Sequence, residues 1–180
     1  MTTPTNIAAT PAAPRRRFRW WHAALILVMV NAISVLPAGY NGDEAFYNNF
    51  QLPAIAPPDW LFAPMWLFLN VTSLIALARV ANAPNQTKTN VAFYVLEGVG
   101  WVLFAIFNTL YFGLGSPALG AIDTAAGLLV GVASFACCLA VDRRAGWLIL
   151  PRVLWLVLAT YVSVWVALNN ADPFFRISGL

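Results

Sequence analysis

Apolar residues along this chain come in five long runs separated by short polar links. The runs cover about residues 21–40, 60–80, 91–112, 118–141 and 147–168. Each is close to the ~20 residues that a helix needs to cross a hydrocarbon core ~30 Å thick. The pattern predicts an all-α integral membrane protein, a bundle of five transmembrane helices. Residues 1–14, rich in Thr, Pro, Ala and Asn, carry no apolar period. Three segments follow: a disordered tail over 1–19 ending in an Arg cluster, a transmembrane domain over 20–170, and a short tail over 171–180. Short links make consecutive helices antiparallel neighbours. The longest link, 41–58, carries Phe46, Tyr47 and Phe50, and Pro57-Pro58 opens the second span.

Composition agrees with this reading. Hydrophobic residues make up 61% and charged residues 9%, and mean hydropathy is +0.72. A soluble domain carries about 25% charged residues. An ordinary cytosolic enzyme, a disordered chain and a disulfide-stapled module are therefore excluded. Cys137 and Cys138 are adjacent within the fourth run and read as small apolar helix residues. The first run follows basic residues as a signal peptide does, but its length reads as a span rather than a cleaved leader.

Charge then orients the bundle. With five spans, Arg15, Arg16, Arg17, Arg19, Arg79, Lys88, Arg143, Arg144 and Arg152 fall on one side or at its helix ends. Only Arg176 falls on the other, with Asp43, Glu44, Asp59 and Asp172. Basic residues stay inside, which predicts a cytoplasmic N-terminus and an outside C-terminus. A bacterial cytoplasmic membrane is favoured over an outer membrane, because spans of this kind are helical. The net charge of +3 is thus a topological signal, and no nucleic-acid partner is expected.

Two ionisable residues lie within the runs, Glu97 and Asp123. Counted from opposite ends, they differ in depth by about 12–15 Å. A shared acid/base pair needs about 5–9.5 Å, so they are not read as one. Asp123 reads as a residue satisfied by local hydrogen bonds near the outer interface. Glu97, Trp101, Phe104, Asn108 and Tyr111 follow steps of four, three, four and three, one helix face. Trp66, Asn70 and Ser73 form a second stripe, and Asn31 and Ser34 a third. Two readings fit. The stripes line one aromatic-walled ligand pocket, or they are interhelical packing with Asn and Ser as polar glue. Gly127 and Gly131 form a GxxxG, which suits close packing within the chain or a homodimer seam. No nucleophile elbow, phosphate loop or metal-ligand cluster is present, so neither catalysis nor a required cofactor is expected.

Three segments in order carry a resemblance. The second span opens with Pro53-Ala-Ile-Ala-Pro-Pro-Asp-Trp-Leu-Phe-Ala-Pro-Met-Trp66. The joint of spans three and four reads Phe112-Gly-Leu-Gly-Ser-Pro-Ala-Leu-Gly-Ala-Ile-Asp123. The next joint runs from Val141 through Asp-Arg-Arg-Ala-Gly-Trp to Pro151, followed by Trp155, Ala159-Thr160 and Leu168-Asn169. Over about residues 35–170 the chain resembles the TspO/MBR family, the tryptophan-rich sensory and translocator (peripheral benzodiazepine receptor) proteins. The resemblance implies a five-helix bundle, often dimeric. It implies a pocket beneath the first external loop for tetrapyrroles, sterols or synthetic aromatic ligands. Tyr47, Trp60, Trp66 and Trp155 match aromatic positions at or near that pocket. Departures occur at Ala54, Ile55, Asn70, Glu97, Trp101, Arg152 and Ser163, and the bulk of Trp101 is expected to intrude on the pocket.

The leading expectation is a membrane receptor or carrier for a planar or isoprenoid ligand, such as a porphyrin, carotenoid or sterol-like molecule, with membrane lipid as its other partner. Trp60, Trp66, Trp101 and Phe104 would stack on it, while Tyr47, Asn70 and Asn108 would orient it. Glu97 would accept a pyrrole N–H or hold a cationic group, and Trp155 completes the ligand-binding set. The alternative is a non-catalytic subunit of a larger photosynthetic or respiratory membrane complex. A third reading is light-dependent porphyrin breakdown through the Trp residues.

Overall fold

A computed structural model describes residues 18–35 and 44–175. The expected tail over 1–17, the end of the first span and residues 176–180 lie outside the described residues. Among the described residues six α-helices form: α1 (Trp20–Val35), α2 (Glu44–Asn48), α3 (Phe62–Ala81), α4 (Lys88–Asn108), α5 (Pro117–Val141) and α6 (Arg143–Asn169). Segments Asp59–Ala81, Lys88–Gly113, Pro117–Val141 and Arg143–Asn169 are long and apolar enough to cross a membrane. α1 is a shorter apolar helix of 16 residues. α2 lies in the long link, where no apolar run announced it.

The helix boundaries follow from local chemistry. The Arg19 N–H donates to His22 Nδ1 at 2.8 Å, next to the start of α1. Pro57-Pro58 leads into a 3₁₀ turn, Asp59–Leu61, which hands the chain to α3. Asn90 accepts from the Thr87 N–H at 2.9 Å and opens α4. α4 runs on as a π turn over Thr109–Gly113. Gly115, at φ +63°, then turns the chain where a side chain would be strained. Ser116 caps α5 through the Leu119 N–H at 3.1 Å, with Pro117 in the first turn. Asp142 caps α6 by accepting from the Arg144 and Ala145 N–H groups at 2.8 and 3.3 Å. That cap starts the fifth span four residues before the apolar run expected at 147.

The outer surface is apolar, as lipid requires. Leu129, Leu154, Val95 and Ile122 all stand more than half exposed, which no water-facing surface of this composition would allow. Inside, α3 to α6 meet in a tight core of Ala76, Val80, Phe93, Cys138, Ala145 and Ile149. This core lies at the basic end of the bundle, where Arg79 pairs with Asp142 at 2.7 Å. Gly146 makes the close approach of α5 to α6 possible. A Cβ there would lie 2.7 Å from Leu139 Cγ and 3.1 Å from its Cα.

The opposite end is tied together by residues expected to be loop or tail. Asn170 donates to the Gln51 carbonyl at 3.1 Å and accepts from its N–H at 2.9 Å. Asp172 accepts from Ser116 Oγ at 2.6 Å and from the Ala118 N–H at 2.9 Å. Residues 171–175 therefore fold back over the start of α5. Burial raises the Asp172 carboxyl, but hydrogen bonds from Ser116, Ala118, Phe174 and Phe175 outweigh it and hold the group below its ordinary value. A depressed folded-state pKa adds stability that is complete above the ordinary carboxylate value and fades as pH falls through the folded one. Thermal midpoints should thus be flat from about pH 8 to 5 in this respect and drop below about pH 4. In Asp172→Asn the acid-side drop should be smaller. Identical acid limbs for both proteins would refute this assignment.

Candidate functional site

A cavity of about 590 Å³ opens among α1, α3, α4, α5 and α6, beneath α2 and the Pro57-Pro58 turn. Pockets for small ligands run from about 300 to 1,000 Å³. Two chains of rings form its walls. One descends from Tyr47 to Phe62 (5.2 Å) and on to Trp155 (5.8 Å). The other links Trp66 to Phe104 (5.1 Å) and Phe104 to Trp101 (6.2 Å). Trp60 stands at the mouth and is 68% exposed. The bulk of Trp101 forms wall rather than filling, and the space beside it stays open.

Below the cavity lies a polar layer that reading the chain did not foresee. Arg152, nine residues into α6, is 8% exposed. It forms an ion pair with Glu97 of α4. Its Nη1 donates to Glu97 Oε2 at 3.0 Å and to Ser73 Oγ at 3.2 Å. Ser134 of α5 donates to Glu97 Oε1. Four helices thus contribute one polar residue each. The charge count sets Arg152 among the basic groups at the cytoplasmic helix ends. It is instead the partner that makes Glu97 tolerable at membrane depth. Two facts pointed to this: Arg152 lies well inside an apolar run, and one intramembrane Glu was otherwise unpaired. Glu97, expected to face a ligand, is not on the cavity wall, and Arg152 bonds both its oxygens.

The remaining expected residues do meet. Tyr47, Trp60, Trp66, Asn70, Trp101, Phe104, Asn108 and Trp155 all line this one cavity. Two of the polar ones are already engaged. The Tyr47 hydroxyl donates to the Pro57 carbonyl at 2.9 Å. Burial, with Asp59 nearby, pushes its phenol up to about 12, so it stays a neutral donor near neutral pH. Asn108 Nδ2 donates to Ser34 Oγ at 3.0 Å and so joins α4 to α1. Gly127 and Gly131 also line the cavity, with Leu156 of α6 as their neighbour. Their GxxxG therefore packs within the chain.

Among the described residues, six buried side-chain polar atoms lack a hydrogen-bond partner. Five belong to cavity-lining residues: Asn70 Nδ2, Trp101 Nε1, Arg152 Nε, Trp155 Nε1 and Asp123 Oδ1. Asp123, expected to be satisfied locally at the interface, is 7% exposed on the cavity wall, and Ser116 serves Asp172 instead. A buried unpaired group costs about 1–3 kcal/mol. All five are sealed within the walls, so each carries that cost in the protein as it stands.

The sequence that builds this arrangement matches a known family model. The model of the TspO/MBR family covers residues 23–168. A tryptophan-rich protein TspO from Archaeoglobus fulgidus is 24% identical over 156 residues, 82% of this chain and 99% of that protein. Another from Chlorobaculum tepidum is 27% identical over 124 residues, 66% of this chain and 75% of that protein. Protein CrtK from Rhodobacter capsulatus is 27% identical over 151 residues, 79% of this chain and 92% of that protein. With its lipid-facing exterior, its helix order and a family match across almost the whole membrane part, this chain is an integral membrane protein that belongs to the TspO/MBR family.

Proposed function

We propose that the protein is a membrane receptor for an apolar planar or isoprenoid ligand of tetrapyrrole, carotenoid or sterol-like kind, with a sensory role. One observation carries this reading: a cavity of about 590 Å³, walled by Tyr47, Phe62, Trp66, Trp101, Phe104 and Trp155, opens among the helices beneath the first loop. The sensory role is carried over from the family to which the chain belongs. We place the protein in the cytoplasmic membrane with its basic end inward. Exposed Arg19, Arg143 and Arg144 and the lysine that starts α4 support that orientation.

The test is titration of purified protein with protoporphyrin IX, followed by tryptophan fluorescence. Trp66 and Trp101 on the wall should give saturable quenching with a Kd below about 100 μM, a binding free energy beyond about −5.5 kcal/mol. Trp66→Ala should weaken it about tenfold by removing the ring that holds Phe104 in place. Linear, non-saturating quenching in both proteins would count against a receptor. Recovery only within a larger complex in mild detergent would favour an accessory subunit.

A further inference from the structure

A second concavity lies between α1 and α3 at the basic end, and no residue lines both it and the aromatic-walled cavity. It is a groove of about 550 Å³ with Phe18, Trp20, Arg79 and Asn82 at its rim. Along α3 it runs from Asn82 to Val71, eleven residues or about 16 Å. That is half of a hydrocarbon core ~30 Å thick, the depth of one leaflet. Ala24 and Ala78 line it with side chains too small to close it. Asn82 Nδ2 donates to the Phe18 carbonyl at 3.0 Å and so ties the chain just before α1 to the end of α3. The rim is basic. Among the described residues Asp142 is the one acid at this end, and Arg79 balances it while keeping its own side chain 40% exposed. Arg19, between Phe18 and Trp20, is exposed, as are Lys88, Arg143 and Arg144.

We propose that this groove holds one acyl chain of an anionic phospholipid, with the lipid phosphate at the rim beside Arg19 and Arg79. Two features select this occupant. The groove is apolar below its rim and one leaflet deep, which suits a hydrocarbon chain. The surplus of positive charge stands at the end where that chain's headgroup lies, and basic pockets between membrane helices draw acidic headgroups. A zwitterionic lipid offers the same chain, but its ammonium group faces arginine. Trp20, 82% exposed, stands at the rim as tryptophans do at headgroup level. On the orientation proposed above this is the cytoplasmic leaflet. The bound chain fills the space that α1 and α3 leave between them.

Native mass spectrometry of the full chain in mild detergent, with equal amounts of phosphatidylglycerol and phosphatidylcholine of the same chains, tests this. The wild type should retain one phosphatidylglycerol with a preference of about tenfold, a difference of about 1.4 kcal/mol. Arg19→Gln should cut that preference about fivefold, what one arginine near a charged membrane surface contributes. Ala24 is exposed on α1, so Ala24→Phe fills the groove without disturbing the core or any charge, and it should abolish the retained lipid. Glycerol 3-phosphate, a headgroup without a chain, should not displace the lipid even at millimolar concentration. Equal retention of both lipids by the wild type means annular lipid and overturns the proposal. Undiminished phosphatidylglycerol on Ala24→Phe, or displacement by glycerol phosphate, means attraction to surface charge alone and overturns it too. The porphyrin titration decides the receptor reading separately, since the two sites share no residue.

Discussion

Replacing Arg152 by methionine should destabilise the protein by about 3–5 kcal/mol, because it strands the Glu97 carboxylate in the middle of the bundle. Glu97 is 1% exposed, and Ser134 beside it offers a hydrogen bond but no charge. Four helices share the layer, so the damage should be global rather than local. Thermal unfolding in mild detergent, read by the monodisperse fraction, would show a large drop in midpoint. Pairing the change with Glu97→Met should restore most of the loss. The double variant leaves no charge to solvate, and apolar replacements of buried ion pairs are often neutral or stabilising. A single variant as stable as the wild type would mean that the ion pair is not what secures this layer.

The second large effect is expected at Gly146. Its missing side chain lets α6 leave the Asp142 cap in contact with α5, and a Cβ would press on the Leu139 backbone as well as its side chain. Backbone cannot rotate away. Gly146→Val should therefore cost about 3 kcal/mol, near the top of the usual range for overpacking. Gly98 is the control: a Cβ there meets nothing within 4 Å. Gly98→Ala should leave the midpoint unchanged or raise it slightly, since alanine favours helix. If both variants melt alike, close packing at the basic end is not limiting.

Much of the architecture was legible in the residues. Runs of apolar residues near span length, the Pro57-Pro58 opening and the Ser116-Pro117 start translate directly into helices because each signal is local. The aromatic and Asn stripes were legible as faces, since spacing alone sets which side chains share a helix side. What spacing does not carry is the partner across the bundle. Arg152 and Glu97 are 55 positions apart, and only the packing of α4 against α6 joins them. Counting charges for orientation put Arg152 at a helix end, because that count treats basic residues alike whatever their depth. Asp123 is a second case. Nearness along the chain favours a local partner such as Ser116 for it, whereas Asp172, 56 positions away from that serine, takes the hydroxyl. The five-residue α2 was invisible because it is held by tertiary contacts, with Phe46 against Tyr111 and Phe112, rather than announced by its own pattern.

The tight core beneath the ion pair has one more consequence. Phe93, Ile149, Val80 and Cys138 are fully buried, so the vessel has a solid base. That base closes the way toward the basic end. On the receptor reading proposed above, such a floor suits a protein that reports occupancy rather than one that hands its guest onward.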